Sequence, residues 1–222
     1  MLSLTHQSKN LFNICNWMVR QVVSAYEYDR VEKVSRIKSV LHPNQIEAIA
    51  HFNRQIDEIN RKRAKKHPAK VEKARLEHES EANGKEFEAP KLKVLARLEP
   101  VMASPLGAVL DPTVLDNAAK TRANENGIFI YRRIPAAMAQ QVVRRLRECY
   151  SGYLKSTKRF NADPANMTGR PQMPNYLEKN ERFVVEMPFA VIYGPFPSLA
   201  GKIIPENDFA KELDSGLIYC EH

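Results

Sequence analysis

Arg144, Arg145, Arg147, Lys155, Lys158 and Arg159 lie close together in the chain, with a single acid, Glu148, among them. On a helical wheel of about 100° per residue, with Met138 at zero, these six cations fall between about 180° and 340°. Met138, Val142, Leu146, Cys149 and Tyr153 fall within about 0–80°, and Val143, Tyr150 and Leu154 extend the apolar arc to about 160°. One face is therefore suited to packing and the other to carrying charge. Surface helices gain from opposite charges at i,i+4, so a face of near-uniform positive sign repels itself unless an anion offsets it. The chemistry such a face performs is the neutralising of phosphates. The sequence "MTGRPQMPNY" (167–176) follows. There Arg170 sits between Gly169 and Pro171 on a constrained backbone, and its planar fork suits bidentate phosphate contact. Tyr176 adds a ring able to stack on a base.

Those residues need elements to hold them. Pro135 fits the first turn of a helix expected over 135–160, and Gly169, Pro171 and Pro174 predict the turn that follows. Upstream, Leu11, Cys15, Met18, Val22 and Tyr26 repeat at helical spacing and predict a helix over 4–28. A second helix is expected over 43–64, with Pro43 in its first turn and Ile46, Ile49, Phe52, Ile56 and Ile59 as its buried stripe. Then "RKRAKKHPAKVEKAR" (61–75) holds eight basic residues and one acid, and residues 77–88 hold five glutamates around Asn83-Gly84. A break at Pro68 and a charged, flexible insert over 60–90 are expected, either a solvated loop or a basic arm lying on phosphates. Residues 91–125 keep a helical tendency interrupted at Pro100, Pro105 and Pro112, with Asp111-Pro112 as a cap and first turn. The stretch 127–135 reads as extended. "RFVVEM" (182–187) and "FAVIYG" (189–194) alternate like strands, while "GKII" and "GLIYC" are weaker strand candidates. The expected fold class is α+β and predominantly helical: a helical lobe over 1–160, then a small, incomplete β-rich region over 161–222.

The chain has 222 residues, enough for a core without disulfides or metals. Its formal charge of +8 suggests an anionic partner. Cys15, Cys149 and Cys220 are odd in number and widely spaced, which argues against a zinc site or a disulfide framework; Cys15 and Cys149 fall in apolar stripes and are expected to be buried thiols. No stretch approaches the ~20 apolar residues of a membrane span, and the start does not read as a signal peptide. A cytoplasmic setting, with no membrane partner, is the expectation. No metalloprotease, phosphate-loop, nucleophile-elbow or dinucleotide motif occurs, so neither catalysis, a cofactor, a metal site nor a small-molecule substrate is expected for this chain.

Two stretches together resemble the TnpB-like transposon-encoded RNA-guided nucleases, relatives of the type V CRISPR effectors. One is "PAAMAQQVVRRLRECYSGYLKS" followed by "TGRPQMPNY", with Gln140 and Gln141 paired and Gly169, Arg170, Pro171, Pro174 and Tyr176 matching a Gly-Arg-Pro-x-x-Pro-x-Tyr element. The other is "LTHQSKNLFNICNWMVRQ", similar to the family's first recognition helix at Ser8, Asn10, Leu11, Asn13, Arg20 and Gln21. Tyr150, Tyr153 and Leu154 stand where the family prefers a bulkier Trp and Phe pair. The resemblance covers about residues 3–23 and 134–185. It implies a helical recognition lobe and a small β-barrel wedge that hold a structured guide RNA and its hybrid with target DNA, with Arg20 and Gln21 joining the nucleic-acid-binding residues. In the family, cleavage belongs to a RuvC-like domain with three carboxylates around Mg²⁺. No match to that domain is found here: Asp214-Ser215-Gly216 mimics its first strand, but "DFAKEL" precedes it and the triplet reads as a polar turn. The family's first strand is also unmatched, and the likeness fades after about Val185. The expectation is a truncated TnpB-like protein that binds nucleic acid and does not cut it. The alternatives are a guide-independent, repressor-like binder of duplex DNA and a non-functional transposase remnant.

Overall fold

The apolar stripe of Leu11, Cys15, Met18 and Val22 becomes the buried side of α1 (Leu4–Ala25). The computed structural model describes residues 4–80, 87–124 and 126–178, and the strand residues 185–186 and 217–218. The described chain is predominantly helical and carries a small three-stranded antiparallel sheet, the expected α+β class. It forms two compact units, 1–20 with 115–222, and 21–114. The expected domain boundary at 160/161 falls inside a helix, and most of the expected β-rich region 161–222 lies outside the described residues.

In the unit of residues 21–114, β1 (Tyr26–Asp29) and β2 (Val34–Ile37) form a hairpin, and β3 (Val101–Met102) pairs with β2, all antiparallel. Asp29 shapes the turn by accepting the amides of Val31 at 2.8 Å and Glu32 at 3.1 Å. Lys33 supplies the positive φ of 55° that closes it. Tyr26, expected to be helical, is instead a strand residue whose hydroxyl donates to the Glu99 carbonyl at 2.7 Å.

The helix α2 (Pro43–Ser80) runs 38 residues and passes through Pro68. This corrects two expectations, the stop at 64 and the flexible loop. Proline removes one interior hydrogen bond and disfavours a helix interior by about 3 kcal/mol. The surrounding Ala, Lys, Arg and Glu residues are strong helix formers, and the ion pairs Glu58–Lys62, Lys73–Glu77 and Arg75–Glu79 lie at helical spacing. Ala48, His51, Phe52, Gln55, Ile56 and Ile59 are buried, and Ile46 is exposed because it lies in the first turn, ahead of that buried stripe. No described residue of α2 beyond Ile59 is buried. Residues 87–99, expected to keep a helical tendency from 91 onward, form neither helix nor strand. Asn53 clamps Leu98 there, accepting its amide at 2.8 Å and donating to its carbonyl at 3.1 Å. Asn60 does the same to Leu95, with both bonds at 2.9 Å. Ser104 caps the short α3 (Pro105–Val109). Asp111 caps α4 (Pro112–Thr121) as expected, accepting the amides of Thr113 at 3.0 Å and Val114 at 3.3 Å.

In the other unit, "GIFIYRRIP" is not extended: Ile130–Arg133 form a 3₁₀ turn. Ile130 and Tyr131 are buried there, and the Tyr131 hydroxyl donates to Asp116 at 2.7 Å, which coils this stretch back onto α4. The helix α5 (Ala136–Ala162) opens directly after Pro135 and covers the expected span. Its Met138, Ala139, Val142, Val143, Leu146 and Tyr150 are buried. Full burial of one such side chain favours the fold by about 1.5–3 kcal/mol. The strands β4 (Val185–Glu186) and β5 (Leu217–Ile218) pair antiparallel, within two of the expected strand stretches. The candidates at 189–194 and "GKII", and Asp214, lie outside the described residues.

Candidate nucleic-acid interface

The wheel separation over α5 holds in three dimensions. Arg144, Arg145, Arg147, Lys155, Lys158 and Arg159 are all exposed, while Met138, Val142, Val143, Leu146 and Tyr150 of the opposite arc are buried. Among the described residues, Arg144, Arg147, Lys155, Lys158 and Arg159 pair with no carboxylate. Two apolar expectations fail at the helix edge. Leu154, beyond the packed part of the arc, is 39% exposed, and Cys149 is exposed rather than buried because it opens onto a cavity.

The "MTGRPQMPNY" segment has no regular secondary structure and is held by one row of side chains on α1. Asn13 accepts the Leu177 amide at 2.8 Å and donates to its carbonyl at 2.9 Å. Asn16 donates to the carbonyls of Pro174 and Asn175, both at 3.0 Å, and accepts the Tyr150 hydroxyl at 2.8 Å. Arg20 donates to the carbonyls of Pro174 at 3.2 Å and Met173 at 3.3 Å, and its guanidinium lies 5.2 Å from the centre of the Tyr176 ring. Spacings of three and four along α1 put these side chains on one face. Asn13 offers the segment what a neighbouring strand would offer, a paired donor and acceptor, while Asn16 offers it donors only.

This arrangement sorts the sequence-based site residues. Arg170 is exposed, as phosphate contact requires. Tyr176 is 44% exposed with its ring already against Arg20. Arg20 has an internal task, fixing the 173–176 backbone, so its charge is largely spent on carbonyls and a ring. Gln21 is half-buried and belongs to the other compact unit. No family model, curated protein or solved structure matches the chain. The interface is therefore read from its own geometry.

Burial sets the titration of the groups beneath that geometry. The Tyr150 phenol is held above its usual range mainly by desolvation, with the Arg20 guanidinium opposing. Desolvation pushes the Cys15 thiol up to about 12, and Asp116 adds to the effect. These groups stay protonated and serve packing and hydrogen bonding. Asn16 was absent from the sequence-based site. Its signal was a polar, weak helix former beside the buried stripe, in register with Asn13 and Arg20. Among the described residues no group of three or more His, Cys, Asp or Glu side chains is placed to hold a metal ion. No helix there is long and apolar enough to cross a membrane.

Close to these contacts lies a cavity of about 640 Å³. Phe12, Cys149, Tyr153 and Ser156 form its helical walls, and residues 167–172 with 174–177 complete it.

Proposed function

We infer that the chain binds the sugar–phosphate backbone of nucleic acid through the exposed face of α5, as the nucleic-acid-holding part of a TnpB-like protein on guide RNA or an RNA–DNA hybrid, and performs no cleavage itself. The observation that carries this reading is the set Arg144, Arg147, Lys155, Lys158 and Arg159, exposed on a helix whose other face is buried, with no carboxylate paired to any of them among the described residues. Five like charges on one face repel each other, and a polyanion removes that repulsion while releasing its own counterions. Such contacts position a strand without reading its bases; in guided systems base pairing supplies the sequence.

Support for the family assignment comes from the meeting of its two motif stretches. Asn13 and Arg20, from the first, bind the backbone of residues 173–177, from the second. The test is co-purification of RNA with the full chain, followed by nuclease protection and titration of affinity against salt. A protected structured RNA is the expected result. Five neutralised phosphates give a log–log salt slope of about −4 to −5. A slope near zero overturns the reading, and sequence-selective binding of duplex DNA by the protein alone favours the repressor-like alternative.

A further inference from the structure

The cavity beside α5 has features the phosphate contacts leave unexplained. Its volume, about 640 Å³, falls in the ~300–1,000 Å³ range of small-ligand sites. Phe12, Tyr153 and Tyr176 bring aromatic rings to it, while Arg170, Gln172 and Asn175 bring a cation and two amides, and no acidic residue lines it. That chemistry suits a flat heterocycle with hydrogen-bonding edges that carries negative charge nearby, and it disfavours a cation.

The second observation is Gly152. It sits inside α5, three residues after Cys149 and four before Ser156, and so on the same helical face as both cavity-lining residues. An interior glycine costs a helix about 1 kcal/mol against alanine. A Cβ built there meets nothing within 4 Å, so nothing in the described packing requires the glycine. On the helical wheel Gly152 falls between Arg145 and Arg159, within the cationic arc near its edge. Gly152 does not itself line the cavity, but its missing side chain leaves exposed helix surface beside Cys149 and Ser156, between the cavity and the cations Arg145 and Arg159.

We propose that this cavity receives one unstacked nucleotide of a single-stranded stretch, its base among Phe12, Tyr153 and Tyr176, and its flanking phosphates on Arg170 and the α5 cations. The proposal rests on the phosphate-binding role of α5 and adds a base-sized socket to it. It makes α5 a reader of strandedness: a base locked in a duplex cannot enter, whereas phosphates of either form reach the cations. Stacking of one base on aromatic side chains changes affinity by roughly tenfold or more.

The test compares the full chain with Gly152→Leu, whose side chain lies over the turn toward Cys149 and removes no charge. Affinities are measured for a ten-nucleotide single-stranded oligo(A) RNA and for a ten-base-pair RNA duplex at one salt concentration. The expected result is a loss of about tenfold for the single strand, an unchanged duplex affinity, and a melting temperature that does not fall. Equal losses for both ligands, or no loss for either, overturn the proposal while leaving the phosphate role of α5 standing. A second measurement does not depend on that role. Cys149 lies on the cavity wall, so millimolar AMP shields it from alkylation, read by mass spectrometry on its peptide, while ribose 5-phosphate does not. Absence of shielding by AMP, or equal shielding by both, rejects the socket. Shielding by AMP with unchanged single-strand affinity in Gly152→Leu overturns the strand assignment in favour of a free nucleotide. Failure of both RNAs to bind the unmodified chain ends the α5 reading instead.

Discussion

Asn16 carries more of the candidate site than any single cation, because it is fully buried and bonded on both sides of its amide. Asn16→Leu takes the partner from the buried Tyr150 hydroxyl and from the Asn175 carbonyl, while the Pro174 carbonyl keeps Arg20; each unmade bond costs about 1–3 kcal/mol. We expect a loss of about 2–4 kcal/mol in urea unfolding. Replacing both partners of a buried bond by apolar groups is far less costly, so Asn16→Leu with Tyr150→Phe should recover part of that loss. No recovery would mean that Asn16 acts through the loop carbonyls alone. Buried protonated groups set the response to alkali in the same way. The Tyr26 phenol is pushed up to about 12 by burial and by Glu99, and the Cys15 thiol to about 12. In the unfolded chain these groups titrate near about 10 and about 8.5. The fold keeps protons that the unfolded chain releases, so the stability they contribute is whole at neutral pH and is lost as pH rises toward 12. The melting temperature should hold to about pH 8 and then fall steadily. Tyr26→Phe should be less stable at pH 8, having lost its bond to Glu99, and should fall less steeply above pH 10. A parallel descent of the two proteins would mean that Tyr26 does not set the alkaline response.

At the scale of elements, both units use one device. A helix sets asparagines in a row along one side, and the row holds a segment without regular secondary structure by its backbone: Asn13 and Asn16 on α1 for 174–177, Asn53 and Asn60 on α2 for 95–98. The helices themselves were legible, since burial repeats at the helical period in Leu11, Cys15, Met18 and Val22 and again in Met138, Val142 and Leu146. The Asn–backbone clamps were not, because the Leu177 partner of Asn13 is 164 residues away and a side chain that imitates a strand edge leaves no periodic mark. The hairpin was missed for a related reason. Strands of four residues depend on pairing, and β2 finds its third-strand partner only at Val101–Met102. On the site, the six α5 cations could be placed from the wheel alone, whereas the internal task of Arg20 needed the loop it grips. Pro68 shows the opposite kind of error: a local rule outweighed by its neighbours. Its ring still deprives the Ala64 carbonyl of a donor, and no described residue of α2 after Ile59 is buried. Amides between 61 and 79 should therefore exchange hydrogen at least tenfold faster than those between 48 and 59. Pro68→Ala should slow that exchange and raise helical circular dichroism. Equal protection along the whole of α2 would show that further packing stabilises its far half.

For the whole molecule, the question is whether its +8 charge acts as a total or at a place. Two basic surfaces make the question answerable. The α5 face offers Arg144, Arg147 and Lys155, and the exposed half of α2 offers Lys65, Lys66 and Lys70. Replacing either trio by alanine lowers the formal charge from +8 to +5. Long-range attraction depends on the summed field, and at physiological salt it fades over about 8 Å. Counterion release depends on which cations touch phosphates, each worth nearly one unit of salt slope. If α5 is the interface, its trio should flatten the slope for an RNA–DNA hybrid by about 2–3 units and the α2 trio by much less, although the two variants carry the same charge. The converse ranking would move the interface to α2, the basic arm that its sequence also allowed. Equal flattening would mean that net charge alone draws the polyanion, and the separated faces of α5 would then have no bearing on binding.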